Sequence, residues 1–348
     1  MRHTFLSAVI LFTWPALSAG LAVAQRQPYT FFKERINLSD PEIHKIEQGQ
    51  VITKVLDSGD KKYGILVFGA VYVDAPIMQF DQVVRDVKRL KENKVYLDLQ
   101  EFSAGGTPPK IGDFERLKFD RKDIDDLEDC KPGDCDLQVF DPESFHKQID
   151  WSSKDKYNQA NKLLQFRACQ AMTKYLEGGL KALGSYRDRA KPLDIYSAFT
   201  GEMVDSSYYL PRDKSGGIYR HVIDYPQGKL ESASDIFYWE DIDFGQGPTI
   251  RVNHLSLFPG GAGPAKFVVA NKQLYASRYI RLALQMFYCV PDSGDPRKPG
   301  FFLIEMNDSR LPDFGGIKRA IARKVATQKS VESTTDFLNL YRRWSSGI

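Results

Sequence analysis

The alternation of apolar and polar residues divides this chain into segments with clear periods. Ile65 to Val73 is rich in β-branched and aromatic residues and reads as a strand. Asp74-Ala75-Pro76 breaks it. Phe80, Val83, Val84, Val87 and Leu90 then recur at helical spacing, and Val95, Leu97 and Leu99 return to period two. The order is strand, helix, strand. A helix is predicted over Lys154 to Leu183, where Tyr157, Ala160, Leu164, Ala168, Ala171 and Tyr175 follow one stripe. Gly178-Gly179 weakens its last turns. From Asp235 onward the pattern turns to antiparallel strands: Ile236–Phe244, Thr249–Phe258, Lys266–Ala270, Ser277–Val290 and Phe301–Met306, separated by Gly and Pro turns. Ile280, Leu282, Leu284, Met286, Tyr288 and Val290 share one face, with Arg281, Ala283, Gln285 and Cys289 on the other. A long helix from about Phe314 to Arg343 closes the chain, with Ile317, Ile321, Val325, Val331, Leu338 and Tyr341 as its stripe.

This pattern predicts the α+β class: an antiparallel curved sheet packed against a long C-terminal helix, with a helical insertion at about 120–230. Residues 61–345 form a single domain. Residues 25–60 form a leading arm, with a short helix after Ser39-Asp40-Pro41 where proline occupies the first helical turn. A sheet with one apolar face must cover that face. Only 154–183 and 314–343 are long and amphipathic, and the C-terminal helix is the simpler cover.

The first residues add an address. Arg2 and His3 precede an apolar run from Phe5 to Leu17, and Ala22-Val23-Ala24 stands directly before Gln25. That is the pattern of a secretory signal peptide over 1–24. The competing reading is an uncleaved anchor, since Phe5 to Ala24 is about long enough to span a bilayer. Pro15 and the small-residue end favour cleavage, after which no stable membrane span remains. The expected location is periplasmic or secreted.

Composition narrows the partners. Loss of Arg2 lowers the formal net charge from +3 to +2, with no electrostatic footprint for nucleic acid. Cys130 and Cys135 flank Lys131-Pro132-Gly133-Asp134, and in an exported chain this reads as a small disulfide loop. A metal or redox pair is the alternative, weakened by the missing second Cys/His pair. Cys169 and Cys289 read as buried thiols, with a long-range bridge between them left open. Asp125, Asp126, Glu128, Asp129, Asp134 and Asp136 read as a solvated acidic turn; they lack the EF-hand spacing of a calcium loop. No metal or cofactor is expected.

The strand–helix–strand around Val73-Asp74-Ala75-Pro76, together with the closing strands and final helix, resembles the helix-grip fold of START-like and polyketide-cyclase-like proteins. The resemblance covers 60–100 and 234–345, and this chain departs from it by its long intervening stretch. It implies a sheet wrapped around the last helix, with an apolar cavity for a lipid or other hydrophobic molecule. The chain is also similar to exported bacterial proteins of unassigned function that carry the same Cys-Lys-Pro-Gly-Asp-Cys loop, a likeness that implies no mechanism.

Candidate chemistry is sparse. No G-x-S-x-G, H-E-x-x-H, GxxxxGK[ST] or GxGxxG occurs. Five residues are candidates for ligand binding. Arg310, after the last strand, could clamp a carboxylate or phosphate, or simply pair with a nearby acid. Arg281 needs a partner if covered, structural or ligand. Trp239 and Tyr238 could line a cavity or fill the core. His254 could be a polar anchor, a general base with an acid such as Asp241, or a satisfied strand histidine. The first expectation is therefore an exported protein binding a hydrophobic or lipid-like small molecule under the C-terminal helix. The alternatives are a non-catalytic envelope structural or interaction protein, and a hydrolase-type enzyme using His254.

Overall fold

The computed structural model describes residues 28–347 apart from 103–106, 132–134, 136, 140–141, 190, 207–216, 246, 293–299 and 315. The signal-peptide reading of 1–24 and the acids Asp134 and Asp136 lie outside the described residues.

The arm begins with a helical turn at Phe31–Arg35. It continues into α1 (Asp40–Glu47), whose start is fixed by the Glu42 carboxylate accepting from the Ser39 N–H at 2.7 Å. β1 (Ile52–Leu56) and β2 (Gly64–Val73) follow, then α2 (Ile77–Arg85) and β3 (Tyr96–Phe102). Next come the helices of the insertion. They are α3 (Arg121–Asp129), capped by the Asp120 carboxylate at 2.7 Å from the Asp123 N–H, then α4 (Pro142–Gln148) and α5 (Lys156–Leu183). A small ribbon of β4 (Ser185–Tyr186) and β5 (Leu193–Asp194) leads to α6 (Ile195–Ser206) and α7 (Gly217–Asp224). Five strands complete the sheet: β6 (Ser234–Ile242), β7 (Thr249–Ala262), β8 (Ala265–Ala276), β9 (Leu282–Pro291) and β10 (Phe301–Arg310). The chain ends in α8 (Gly316–Ser345), 30 residues and about 45 Å long.

All eight large strands join one antiparallel, unclosed sheet in the order β1-β2-β10-β9-β8-β7-β6-β3. β6 to β10 are consecutive neighbours, as the closely spaced Gly and Pro turns predict. The β7–β8 turn needs glycine at residue 261, where φ is +60° and a Cβ would collide with the Ala265 carbonyl. The α+β architecture with a long C-terminal helix is therefore as expected. One strand is additional. The arm contributes β1, which pairs with β2 from Ile52↔Ala70 to Leu56↔Leu66.

The covering of the two faces differs from the expectation. The clean apolar face of β9 (Leu282, Leu284, Met286, Tyr288, Val290) packs under the insertion and the arm, with Phe32, Ile46, Leu164, Met172 and Phe199. α8 lies on the other face. Its C-terminal half is anchored there by Phe337, Leu338, Leu340, Tyr341 and Trp344. Its N-terminal half is held more lightly: Ala326 and Val331 pack against Ile65, Val67 and Leu311, while Ile317, Ile321 and Val325 are 80%, 60% and 38% exposed. The sequence pattern contained two covers, and the longer insertion took the more apolar face.

Candidate functional site

Alternation along five neighbouring strands sends one set of side chains toward α8. Near the anchored end of the helix that set is apolar: Tyr238, Leu255, Leu257, Val269, Phe287 and Leu303. Under the N-terminal half it becomes polar: Asn253 on β7, Asn271 and Gln273 on β8, Gln285 on β9, and Asn307 and Ser309 on β10. The residues form a stripe because the ladders place them side by side, Asn271 opposite Gln285 and Gln285 opposite Asn307. Above this amide floor, α8 supplies a mixed roof, apolar at Ile321, Ala322, Val325 and Ala326 and polar at Lys318, Lys329, Ser330 and Ser333, and Phe244, Ile280, Leu311 and Phe314 close the sides. The space between is about 460 Å³, within the range of small-molecule sites.

The floor is wired. Asn271 Nδ2 donates to Gln285 Oε1 at 3.1 Å, and Gln285 Nε2 donates to Glu305 Oε1 at 3.3 Å. Thr334 of α8 donates to the same oxygen at 3.3 Å. Glu305 is fully buried, and burial pushes its carboxyl up to about 8 against the pull of these two bonds. Burial thus favours its protonated form. At the other end, Arg251 Nη2 meets Glu240 Oε1 at 2.6 Å and Asn253 Nδ2 donates to it at 3.0 Å. Glu240 Oε2, Arg251 Nε, Glu305 Oε2 and Ser309 Oγ are buried with no hydrogen-bond partner among the described residues. A polar face this incompletely paired is costly in a sealed core.

The insertion face holds a second polar cluster. Asp235 of β6 accepts at Oδ1 from His221 of α7 (2.8 Å), from His254 of β7 (2.9 Å) and from Ser256 (3.0 Å). Tyr175 of α5 lies 2.7 Å from His254 Nδ1. Lys272 reaches the Val222 carbonyl, its ammonium 5.2 Å over the Tyr175 ring. Burial opposes ionisation of Asp235, but the bonds from His221 and His254 hold its carboxyl well below the usual carboxylate range. Burial pulls His254 down to about 4 and Lys272 down to about 7.

His221, Asp235 and His254 converge as metal ligands would, and the proton positions decide against it. The Leu230 N–H donates to His221 Nδ1 at 3.0 Å. Neutral His221 then carries its proton on Nε2, the atom facing Asp235, and has no lone pair there for a metal. The donor set fits a proton-bridged network. The other candidate group, Cys130, Cys135 and His146, offers no thiolate, because the two cysteines form a disulfide with Cα atoms 5.1 Å apart. Cys169 and Cys289 are free, and they lie on opposite sides of the sheet.

The five residues singled out from sequence do not meet at one place. Tyr238 faces α8 beside Leu255, Phe337 and Tyr341, in a narrow recess adjoining the main cavity through Arg251. Trp239 lies on the opposite face, its Nε1 donating to the Asp113 carbonyl at 2.9 Å. Arg281 is buried against Asp188 at 2.6 Å. Arg310 meets Asp60 at 2.5 Å and lies over the Tyr63 ring. His254 belongs to the Asp235 network. Asp241 pairs in register with Ile250, four positions from His254, or roughly 13 Å along the strand. The structure does not bring that pair together. Of the acidic turn, Asp126 and nearby Asp123 engage Arg278.

The amide floor was missed from sequence, although a signal exists. Arg251-x-Asn253, Asn271-x-Gln273, Gln285 and Asn307-x-Ser309 put polar residues at the same parity on four successive strands.

No family model matches the chain, and no curated protein matches it in sequence. Among the described residues, no helix is long and apolar enough to cross a membrane.

Proposed function

We propose that this protein is an exported, non-catalytic carrier of a hydrophobic or lipid-like small molecule, held in the cavity beneath the N-terminal half of α8. The observation that carries the reading is the combination of aliphatic and aromatic groups in the roof and sides with an amide floor whose polar atoms are incompletely paired. An amphipathic ligand satisfies both surfaces at once: its apolar part covers Ile321 and Val325, and its polar part bonds to the floor. The helix-grip resemblance points the same way, because the curved sheet and terminal helix are compatible with that fold. Export follows from the leader pattern, and the Cys130–Cys135 disulfide suits an oxidising compartment.

The interaction-protein reading has one observation in its favour, the exposed apolar residues of α8. A hydrolase reading gains less, because His254 is buried, with both ring nitrogens hydrogen-bonded, on the far side of the sheet from the cavity.

Native mass spectrometry of protein purified from an exporting host without detergent tests the carrier reading, with organic extraction of any bound compound. A stoichiometric hydrophobic molecule is expected. A chain of the mature mass that stays empty, even after incubation with lipid extract, removes the proposal.

A further inference from the structure

The first half of α8 packs on β2 through Ala326 and Val331 and leaves its outer face uncovered, and it is unusual in charge. From Gly316 to Val331 it carries Lys318, Arg319, Arg323, Lys324 and Lys329 and no acidic residue. Only Lys329 forms an ion pair among the described residues, with Glu332 at 2.9 Å, and Arg323 donates to the Lys62 carbonyl. In the same segment Ile317, Ile321 and Val325 are exposed, spaced four residues apart. At 100° per residue they form one stripe, with Lys324 on one flank and Lys318 and Lys329 on the other. The far half of the helix shows what α8 does when it packs on the sheet, burying Phe337, Leu338 and Tyr341. The near half leaves Ile317, Ile321 and Val325 exposed among cations.

We propose that this half of α8 docks on the surface of an anionic lipid bilayer. A basic amphipathic helix matches such a surface in two ways. Its cations lie at the level of the lipid phosphates, and its aliphatic stripe enters the boundary of the acyl chains. Nucleic acid offers the phosphates and no apolar phase for Ile317 and Ile321. The position of the stripe adds a second argument. Ile321 and Val325 are both exposed and part of the cavity roof, so a bilayer meeting the stripe lies against the cavity mouth. The docking goes beyond the carrier reading, and vesicle binding is measured without reference to any ligand in the cavity.

The test is co-sedimentation of the mature protein with vesicles of phosphatidylethanolamine and phosphatidylglycerol, against vesicles of phosphatidylcholine alone. Binding to the anionic vesicles alone is expected, with release at high salt. Ile317→Asp is expected to weaken it roughly tenfold, by removing one buried aliphatic group. Lys324→Gln is expected to weaken it roughly fivefold, the value of one cation near such a surface. Neither residue lines the cavity, so both variants keep their ligand content by native mass spectrometry. Failure to bind anionic vesicles, equal binding to both kinds, or wild-type binding by both variants overturns the docking. An empty cavity with intact vesicle binding instead overturns the carrier reading alone.

Discussion

Thr334 of α8 lies directly on Gly69 of β2. A Cβ at residue 69 would stand 2.5 Å from Thr334 Cγ2 and 2.6 Å from Leu338 Cδ1, so only glycine lets the helix approach the sheet this closely. Beyond this contact α8 is anchored on the sheet; before it Val331 and Ala326 still pack on Ile65 and Val67 of β2, and the cavity opens between the helix and β7 to β10. Gly69→Val is expected to force the helix outward and cost about 1–3 kcal/mol, the usual range for overpacking. Urea unfolding checks the loss. An unchanged midpoint would mean that the contact does not set the position of α8.

Glu305 makes stability depend on pH in an unusual direction. Its folded carboxyl titrates at about 8, above the ordinary value of 4.5. A raised value means the folded state holds the proton more tightly than the unfolded chain. That contribution is complete below about pH 4.5 and is lost as pH rises through 8. Glu305→Gln keeps an acceptor for Gln285 and Thr334 and cannot ionise. It should match the wild type near pH 4 and exceed it by about 2 kcal/mol or more at pH 9. Thermal melts across this range distinguish this from a pH-independent effect.

Asp235 is expected to be the most sensitive polar position on the insertion face. Asp235→Ala leaves His221, His254 and Ser256 without their common acceptor. Each buried orphan costs about 1–3 kcal/mol, so a total loss of about 3 kcal/mol or more is expected. The wild-type network should also weaken in acid. His254 is lowered to about 4 in the folded state, so its contribution is present above about 6.5 and is lost as pH falls through 4. Chemical denaturation at pH 7 and pH 5 reads both effects.

The Cys130–Cys135 loop spans a sequence separation of 5, and closing so short a loop stabilises by only about 2 kcal/mol on the chain-entropy model. A Cys130→Ser/Cys135→Ser double variant should fold with a modestly lower melting temperature. Complete loss of folding would show that the bridge does more than restrict the unfolded chain.

The sequence carried the elements further than it carried their neighbours. Period two in 236–306 and period 3.6 in 154–183 and 314–343 are local properties, and they identified strand and helix types, although the strand expected at Lys266–Ala270 runs on to Ala276 and the one expected from Ser277 begins at Leu282. Which helix covers which face is a long-range choice, and the cleanly apolar stripe of β9 could not say that α6 of the insertion rather than α8 would lie on it. The site suffered from the same limit. His254 stood out as a strand histidine, but its acid is Asp235, fixed by strand register and by α7, not Asp241. Arg281 stood out as a charge beside an apolar face and Arg310 as the end of a polar stretch after the last strand, and each found an acid, Asp188 and Asp60, from a distant part of the chain. The amide floor was legible in principle, because it needs only the parity of Asn and Gln compared across four strands.

The most direct test of the central claim is a titration of the neutral apolar probe N-phenylnaphthylamine into the wild type and into Ala283→Trp. Ala283 lines the cavity floor between Gln285 and Ile280, where an indole would occupy the space under Val325 and Ala326. Saturable binding by the wild type, lost in Ala283→Trp with its melting temperature retained, is the predicted result. Equal binding by both proteins, or none by either, would contradict the cavity as the binding site.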